Sequence, residues 1–197
     1  MTTRPQAIAR WLEVHEQEAI RFLEALVNQD SGTDDRAGVN QAGDILARAY
    51  EDLGFSVGRI QQSEFGDHLV ASYGTQGEGK SLLCLGHMDT VYPAGTAEAR
   101  PFRIEGHRAT GPGVLDMKGG LTVLLFAFHA LAETDSPAFR GTRFSVLINS
   151  DEEVGSPSSR QVITDLAERH GESDAQPRGV PGAPEPPRAG GAAGTLP

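Results

Sequence analysis

The chain has 197 residues, 38% of them hydrophobic and 22% charged, which is typical of a soluble globular protein with one sizeable domain. Its 17 basic and 27 acidic residues give a formal net charge of −10, which argues against the basic surface that nucleic-acid or polybasic membrane binding requires. No secretory signal is recognisable, no apolar run approaches membrane-spanning length, and the single cysteine, Cys84, excludes an intrachain disulfide. These features favour a cytoplasmic protein that binds neither nucleic acid nor membranes.

Hydrophobic periodicity and turn residues predict helices that alternate with short strands. The predicted elements are a helix over 3–28, a helix over 37–53, strands over 55–60, 68–73 and 81–85, a hairpin over 100–111 turning at Glu105 and Gly106, a helix over 118–133, a strand over 143–149 and a helix over 158–169. Because the strands are largely apolar, this alternation predicts an α/β fold whose sheet is covered by helices on both faces.

The last 27 residues differ in composition from the rest of the chain. Six Gly, six Pro and five Ala account for 17 of them, and only Val180 and Leu196 are large aliphatic residues. Such a segment cannot bury enough apolar surface to fold. We therefore predict a folded domain over 1–170 and a disordered tail over 171–197.

Residues 74–81, GTQGEGKS, match the phosphate-loop pattern G-x-x-x-x-G-K-[ST]. That motif requires a helix that begins at the lysine, so that backbone N–H groups face the phosphates. Lys80 is instead followed by the strand-like run SLLCLG. We interpret the segment as a Gly-rich hairpin turn with a solvated lysine.

Polar residues follow two of the predicted strands, at the points where α/β sheets tend to bind ligands. His87 and Asp89 follow the strand over 81–85 and lie two positions apart. In extended chain their side chains point to the same side, so Asp89 can accept the free ring N–H of a metal-binding His87. Taken alone, a His-x-Asp pair is more often an ordinary polar loop than a metal site.

Two further segments supply carboxylates. Asp116 lies in a Gly-rich loop before the helix over 118–133, where it is either a metal ligand or the N-cap of that helix. Asp151, Glu152 and Glu153 follow the strand over 143–149. If the chain is extended there, Glu152 and Glu153 point to opposite sides and can take different roles; the alternative is a solvated acidic turn. Histidine and carboxylates at one sheet edge suit zinc, cobalt or manganese.

Three segments in this order resemble the zinc-dependent exopeptidase family that contains glutamate carboxypeptidase, acetylornithine deacetylase and succinyl-diaminopimelate desuccinylase. They are GHMDTV (86–91), FRIEGHRATGPGVLDMKGG (102–120) and SDEEVGS (150–156). Residues 26–57 resemble the glutamate carboxypeptidase branch, and the resemblance covers residues 5 to about 170. It implies a three-layer α/β sandwich with a mixed, largely parallel sheet, incomplete at the C-terminus.

The resemblance also implies a role for each candidate residue. His87 ligates one Zn²⁺, Glu153 ligates another, and Asp116 bridges the two; Co²⁺ or Mn²⁺ can replace zinc. Asp89 orients His87, and Glu152 is the general base. The implied function is hydrolysis of an amide bond in a small peptide or N-acyl amino acid, most like a carboxypeptidase that releases a C-terminal glutamate. An N-acyl amino acid deacylase is the close alternative.

The chain departs from this family after about residue 170. A further carboxylate ligand, a histidine ligand, and the inserted domain for dimerisation and substrate binding are expected there and are not found. A truncated, non-catalytic chain is therefore the competing interpretation, and we expect little or no hydrolase activity from this chain.

The tail has one further property. Reading Pro177–Pro184 one base later yields codon forms that can encode Leu-Val-Val-Phe-Leu-Glu-Pro, an apolar strand that ends in a potential ligand. We hypothesise that the tail is an out-of-frame translation; a natural divergent tail is the alternative.

Overall fold

The computed structural model describes residues 3–74 and 80–171. The helices and strands, in chain order, are α1 (Arg4–Val14), α2 (Glu16–Val27), α3 (Arg36–Asp52), β1 (Ser56–Ile60), β2 (His68–Tyr73), β3 (Lys80–His87), α4 (Thr96–Ala99), β4 (Arg103–Glu105), β5 (Arg108–Thr110), α5 (Gly119–Glu133), α6 (Pro137–Arg140), β6 (Thr142–Asn149) and α7 (Arg160–Gly171). An irregular turn, Val114–Lys118, in which Asp116 and Met117 have non-helical backbone angles, leads into α5, and a 3-10 turn, Glu152–Val154, follows β6. All but the first residue of the predicted tail lies outside the described residues.

Four strands form one sheet in the order β1-β2-β6-β3. β3 and β6 are parallel, whereas β1 with β2 and β2 with β6 are antiparallel. The connection from β3 to β6 contains α4, the separate β4-β5 hairpin, α5 and α6. The mixed sheet of an α/β fold is confirmed, with fewer parallel pairs than expected because β2 runs opposite to β3 and β6.

The Gly-rich segment before β3 does not join neighbouring strands. β2 and β3 lie on opposite sides of β6, so the hairpin-turn interpretation of residues 74–81 is wrong. Lys80 begins an eight-residue strand instead of a helix, so the requirement for a phosphate loop is not met, as the sequence indicated. Residues 75–79 themselves lie outside the described part of the chain.

Alternating residues of β2 and β6 divide between two apolar clusters, as expected for strands buried on both faces. The larger cluster lies under α2, α3 and α5, and its buried members include Leu26, Leu46, Tyr50, Leu69, Leu125, Val146 and Ile148. The smaller cluster joins Val70 and Leu147 to Leu166 of α7. Helices therefore cover both faces of the sheet, which gives the three layers.

The predicted first helix is two helices. The chain turns at His15, whose ring stacks on Trp11 with a centroid distance of 3.7 Å. The His15 Nδ1 atom lies 2.7 Å from the Trp11 carbonyl oxygen, so the ring shares the acceptor that the helix backbone uses at this point. The remaining predicted helices and single strands occur within two residues of their expected ends, and the hairpin begins at Arg103, three residues after its expected start.

The turn before α5 and α5 itself form an apolar stretch of membrane-spanning length, which was not expected from the sequence. Val114–Glu133 has 20 residues and a mean hydropathy of 1.5, enough by length and composition to cross a membrane. Its apolar character has a structural explanation, because Leu121, Leu125 and Phe128 are buried in the larger core cluster. The stretch therefore has the features of a core helix.

Candidate metal centre

The parallel pairing of β3 and β6 brings the two predicted polar clusters to one edge of the sheet. The last residues of these strands, His87 and Asn149, are register partners. The Met88 N–H donates to the Asn149 carbonyl at 3.0 Å, which extends the pairing past the strand ends. Loops that leave neighbouring parallel strands start side by side, so the residues after His87 and after Asn149 meet.

His87 is almost completely buried, and both of its ring nitrogens have partners. Nδ1 lies 3.0 Å from the Asp89 carbonyl oxygen and 3.3 Å from Asp89 Oδ1. Nε2 lies 3.0 Å from Asp116 Oδ1. Burial lowers the pKa of His87, but the hydrogen bonds to Asp89 and Asp116 outweigh it and raise the pKa to about 9.

The turn that carries Asp116 is fixed by close backbone contacts. Gly113 has φ of +70°, and a Cβ atom there would lie 2.5 Å from Thr90 Cγ2, so only glycine fits. The buried Lys118 donates from its backbone N–H to the Gly113 carbonyl and from Nζ to the Gln29 carbonyl. The Asp116–Met117 peptide bond is cis. Asp116 bonds to His87 and does not cap α5, so the N-cap alternative is wrong.

Glu152 and Glu153 lie on a 3-10 turn, so the extended backbone expected for them is wrong. The pair nevertheless occupies two positions in the site. Glu153 is half-buried and faces His87 and Asp116. Glu152 is more exposed, and its Oε2 lies 3.8 Å from His87 Nε2. The two side chains therefore do not point to opposite sides, because the 3-10 turn brings both carboxylates close to His87.

His87, Asp116 and Glu153 each place one potential ligand atom within 4.8 Å of the other two. An imidazole nitrogen and carboxylate oxygens are ligands that Zn²⁺ binds readily. Burial raises the pKa of Glu153 above its usual range, and the carboxylates of Asp116, Asp89 and Glu152 act in the same direction. This crowding of negative charge is relieved when a cation binds between the groups, so the residues present fit a divalent metal.

Asp89 connects His87 to both glutamates from behind the triad. Its side chain is completely buried, and it accepts from the backbone N–H groups of Glu152 and Glu153, each at 3.2 Å. Thr33 Oγ1 donates to Asp89 Oδ2 at 2.8 Å. Burial raises the pKa of Asp89, but these hydrogen bonds and the one from His87 hold it below its usual value. Thr33 was not identified from the sequence, because it lies 56 residues from Asp89.

Asp151 lies next to the site in sequence but does not join the triad. Its oxygens accept hydrogen bonds from Ser158 and Ser159, which follow the 3-10 turn. His68 of β2 contacts the same group of residues. None of these three partners was identified from the sequence. The Ser-Ser pair at 158–159 was the available local signal, since short hydroxyl side chains shortly after a carboxylate often bond back to it.

Comparison with known proteins gives the site its context. Residues 83–188 match the family described as Peptidase family M20/M25/M40. The chain is 43% identical over 150 residues to Carboxypeptidase G2 of Pseudomonas sp., covering 75% of this chain and 35% of that protein. It is 32% identical over 165 residues to succinyl-diaminopimelate desuccinylase of Methylorubrum populi, covering 80% of this chain and 41% of that protein. The chain thus spans well under half the length of these relatives.

Solved structures show the same fold. Human carnosine dipeptidase 1 superposes with a TM-score of 0.71 at 17% identity, over 84% of this chain and 38% of that one. The M20 family metallo-carboxypeptidase Sso-CP2 of Sulfolobus solfataricus gives a TM-score of 0.63 at 20% identity, over 77% of this chain and 35% of that one. The family match covers more than half of the chain and includes all three segments that carry His87, Asp116 and Glu153. The chain belongs to peptidase family M20/M25/M40, a family of metal-dependent hydrolases.

Proposed function

We propose that residues 1–170 form part of the catalytic domain of a metal-dependent amide hydrolase, most similar in activity to a carboxypeptidase. The observation that carries the proposal is the convergence of His87, Asp116 and Glu153, with Glu152 beside them, at one edge of the sheet. The 43% identity to Carboxypeptidase G2 supports this activity over others in the family.

His87 Nε2 and the carboxylates of Asp116 and Glu153 would hold the metal. Zn²⁺ is the ion we propose, since it accepts both nitrogen and oxygen ligands, and Co²⁺ or Mn²⁺ suits the same atoms. Asp116 is 73% exposed, which leaves its second oxygen accessible to a second ion in a complete, two-metal site. A divalent cation held there supplies Lewis acidity that polarises the scissile carbonyl and makes water a stronger nucleophile.

Glu152 is the proposed general base. Its carboxylate is 52% exposed and close to the triad, so it can reach a water molecule and a substrate at the same time. It accepts a proton from the attacking water and returns that proton to the leaving amine. Asp89 keeps the Nδ1 side of His87 occupied, which directs Nε2 towards the metal position.

The proposed substrates are small peptides with a C-terminal glutamate or a similar residue. Removal of an acyl group from an N-acyl amino acid is the second candidate, supported by the desuccinylase relatives. Both reactions cleave an amide bond next to a free carboxylate. The resemblance places the substrate-binding domain in the part of the relatives that this chain does not span, so we expect the groups that select between the two reactions to lie there. We further propose a cytoplasmic location.

The DNA beyond codon 170 provides the first test. If the shifted frame encodes an apolar strand ending in Glu-Pro, the in-frame protein should release glutamate from N-acyl-glutamates faster than succinate from N-succinyl-diaminopimelate. Glu152→Gln should lower that rate about 1,000-fold, as expected for loss of a general base. An early stop codon in the shifted frame contradicts the out-of-frame hypothesis, and full activity of Glu152→Gln contradicts the proposed mechanism.

A further inference from the structure

The carboxylate of Asp151 is completely buried next to the candidate metal centre, and its negative charge is balanced mainly by hydrogen-bond donors from one short loop, with a longer contact of 3.4 Å from Asn149 Nδ2 at the end of β6. Oδ2 accepts from the Ser158 N–H at 2.6 Å, the Ser158 hydroxyl at 2.8 Å and the Ser159 N–H at 3.1 Å. Oδ1 accepts from the Ser159 hydroxyl at 2.6 Å. A buried carboxylate is tolerated only when it is bonded in this way, so each donor is needed.

These bonds close the loop that presents the two glutamates. Ser158 and Ser159 are seven and eight residues beyond Asp151, so the hydrogen bonds tie the two ends of the loop together. Inside the loop, the Ser156 N–H donates to the Asp151 carbonyl and the Gly155 N–H donates to the Glu152 carbonyl, both at 2.8 Å. The 3-10 turn therefore has its backbone path fixed by contacts within the loop.

His68, in β2, attaches this closed loop to the sheet. Its Nδ1 accepts from the Ser150 N–H at 3.3 Å, which leaves the proton on Nε2. Nε2 then donates to the Ser158 hydroxyl at 3.1 Å, and that hydroxyl donates to Asp151. His68 is fully buried, and burial lowers its pKa, in agreement with a neutral ring in this chain of hydrogen bonds.

The 3-10 turn is consequently held at both of its ends. Asp89 accepts the backbone N–H groups of Glu152 and Glu153 at the start of the turn, and Asp151 fixes the return of the chain after it. Neither buried carboxylate faces the metal position, yet together they determine where the two glutamate side chains project.

We propose that Asp151, Ser158, Ser159 and His68 form a loop clamp that positions Glu152 and Glu153, and that this clamp sets the affinity of the site for its metal. The inference rests on the proposed metal site. These four are positioning residues, because none of them contacts the metal ligands through its side chain in the contacts described above. Partners of this kind typically change metal affinity by about 10-fold to 100-fold when they are mutated.

The test is Zn²⁺ affinity of the 197-residue chain, measured by competition with a chromophoric chelator. Asp151→Asn should weaken Zn²⁺ binding by roughly 10-fold to 100-fold. Ser159→Ala and Ser158→Ala each remove one hydroxyl donor and should weaken it by roughly 5-fold. Asp165→Asn is the matched control, since within the described part of the chain its carboxylate accepts only from the exposed Gln161 side chain, and it should leave the affinity unchanged.

Two further measurements separate the possible outcomes. Far-ultraviolet circular dichroism of each metal-free variant establishes that the population measured is folded, and the serine variants retain the buried carboxylate if Asp151→Asn does not fold. His87→Ala should abolish Zn²⁺ binding; if it does not, the proposed metal site itself is wrong. If His87→Ala abolishes binding while folded Ser158→Ala and Ser159→Ala bind as tightly as wild type, the metal site stands and the loop clamp is overturned.

Discussion

Five carboxylates lie at the carboxyl edge of the sheet, and they differ in what surrounds their oxygens. Asp89 and Asp151 are completely buried and accept several hydrogen bonds each from the protein. Asp116 and Glu152 are 73% and 52% exposed, and Glu153 is half-buried beside them. The same chemical group thus serves two purposes: buried carboxylates use their lone pairs to hold the backbone, and exposed ones keep lone pairs for a metal and a substrate.

This division predicts that mutations can change the metal affinity of the chain independently of its stability. Loss of an exposed carboxylate removes a ligand but leaves few unsatisfied donors, so it should change metal affinity without changing stability. Loss of a buried carboxylate leaves buried N–H and O–H groups without acceptors, so it should change both.

The largest expected effect is the loss of Zn²⁺ affinity when the exposed carboxylate of Asp116 is removed. Asp116→Asn should weaken Zn²⁺ binding by about 100-fold or more, while the free energy of unfolding of the metal-free chain, measured above the His87 pKa of about 9 where that ring is neutral, stays within about 0.5 kcal/mol of wild type. Chelator competition and urea unfolding measure the two quantities. A large loss of stability in Asp116→Asn would show that this exposed carboxylate also supports the fold. It would contradict the division between exposed and buried carboxylates.

Asp89→Asn should affect both properties. The amide leaves the Glu152 and Glu153 N–H groups competing for one oxygen, and we expect the free energy of unfolding to fall by about 2 kcal/mol, along with weaker Zn²⁺ binding. Urea unfolding gives the stability change. Asp44→Asn is the control, because Asp44 pairs with Arg59 at the surface and contributes little. Equal losses of unfolding free energy in Asp89→Asn and Asp44→Asn would contradict the distinction between buried and exposed carboxylates.

The pH dependence of the metal-free chain sharpens the comparison further. Because Asp89 and Asp116 raise the pKa of His87 to about 9, its charged ring stabilises the folded state. That contribution is complete below the pKa of the unfolded chain, about 6.5, and is lost as the pH rises through about 9. The melting temperature should therefore fall across this interval, and His87→Gln should remove the decrease.

Zn²⁺ binding should show the opposite trend over the same interval, since the metal competes with the proton on Nε2. Affinity should rise with pH and level off near pH 9. A pH-independent affinity would mean that His87 is not a ligand.

The smallest expected effect is at Thr33. Thr33→Val keeps the shape of the side chain but removes one donor to Asp89, so the free energy of unfolding should fall by about 1 kcal/mol. Thr164→Val on α7 is the matched control, since that hydroxyl bonds only to a carbonyl of its own exposed helix. A neutral Thr33→Val would show that the Asp89 oxygens are satisfied without it.

The sequence predicted the part of the site that depends on local signals. Apolar runs predicted β3 and β6, and the polar residues that follow these strands are the ones that converge at the candidate metal centre. What it did not predict depends on contacts between distant residues: Thr33 with Asp89 is 56 residues apart, and Ser158 with His68 is 90 apart. Such contacts leave no periodic pattern in the chain.

The strand order is the clearest example of the same limit. β2 and β3 are consecutive in sequence, which suggested a hairpin, but β6 pairs between them. The strand order is set by β6, which pairs with both β2 and β3. Its residues lie 60 or more positions further along the chain than their partners. Consecutive strands are usually neighbours, and this pair is an exception.

The parallel pairing of β3 with β6 has one more consequence. His87 ends the first strand, Asp116 lies on the crossover connection, and Glu153 follows the second strand, so all three candidate ligands belong to a single strand–helix–strand unit. A unit of this kind can unfold locally as one cooperative segment. A bound metal would then act on one segment of the fold, and hydrogen exchange in β3, α5 and β6 should slow together when Zn²⁺ is added.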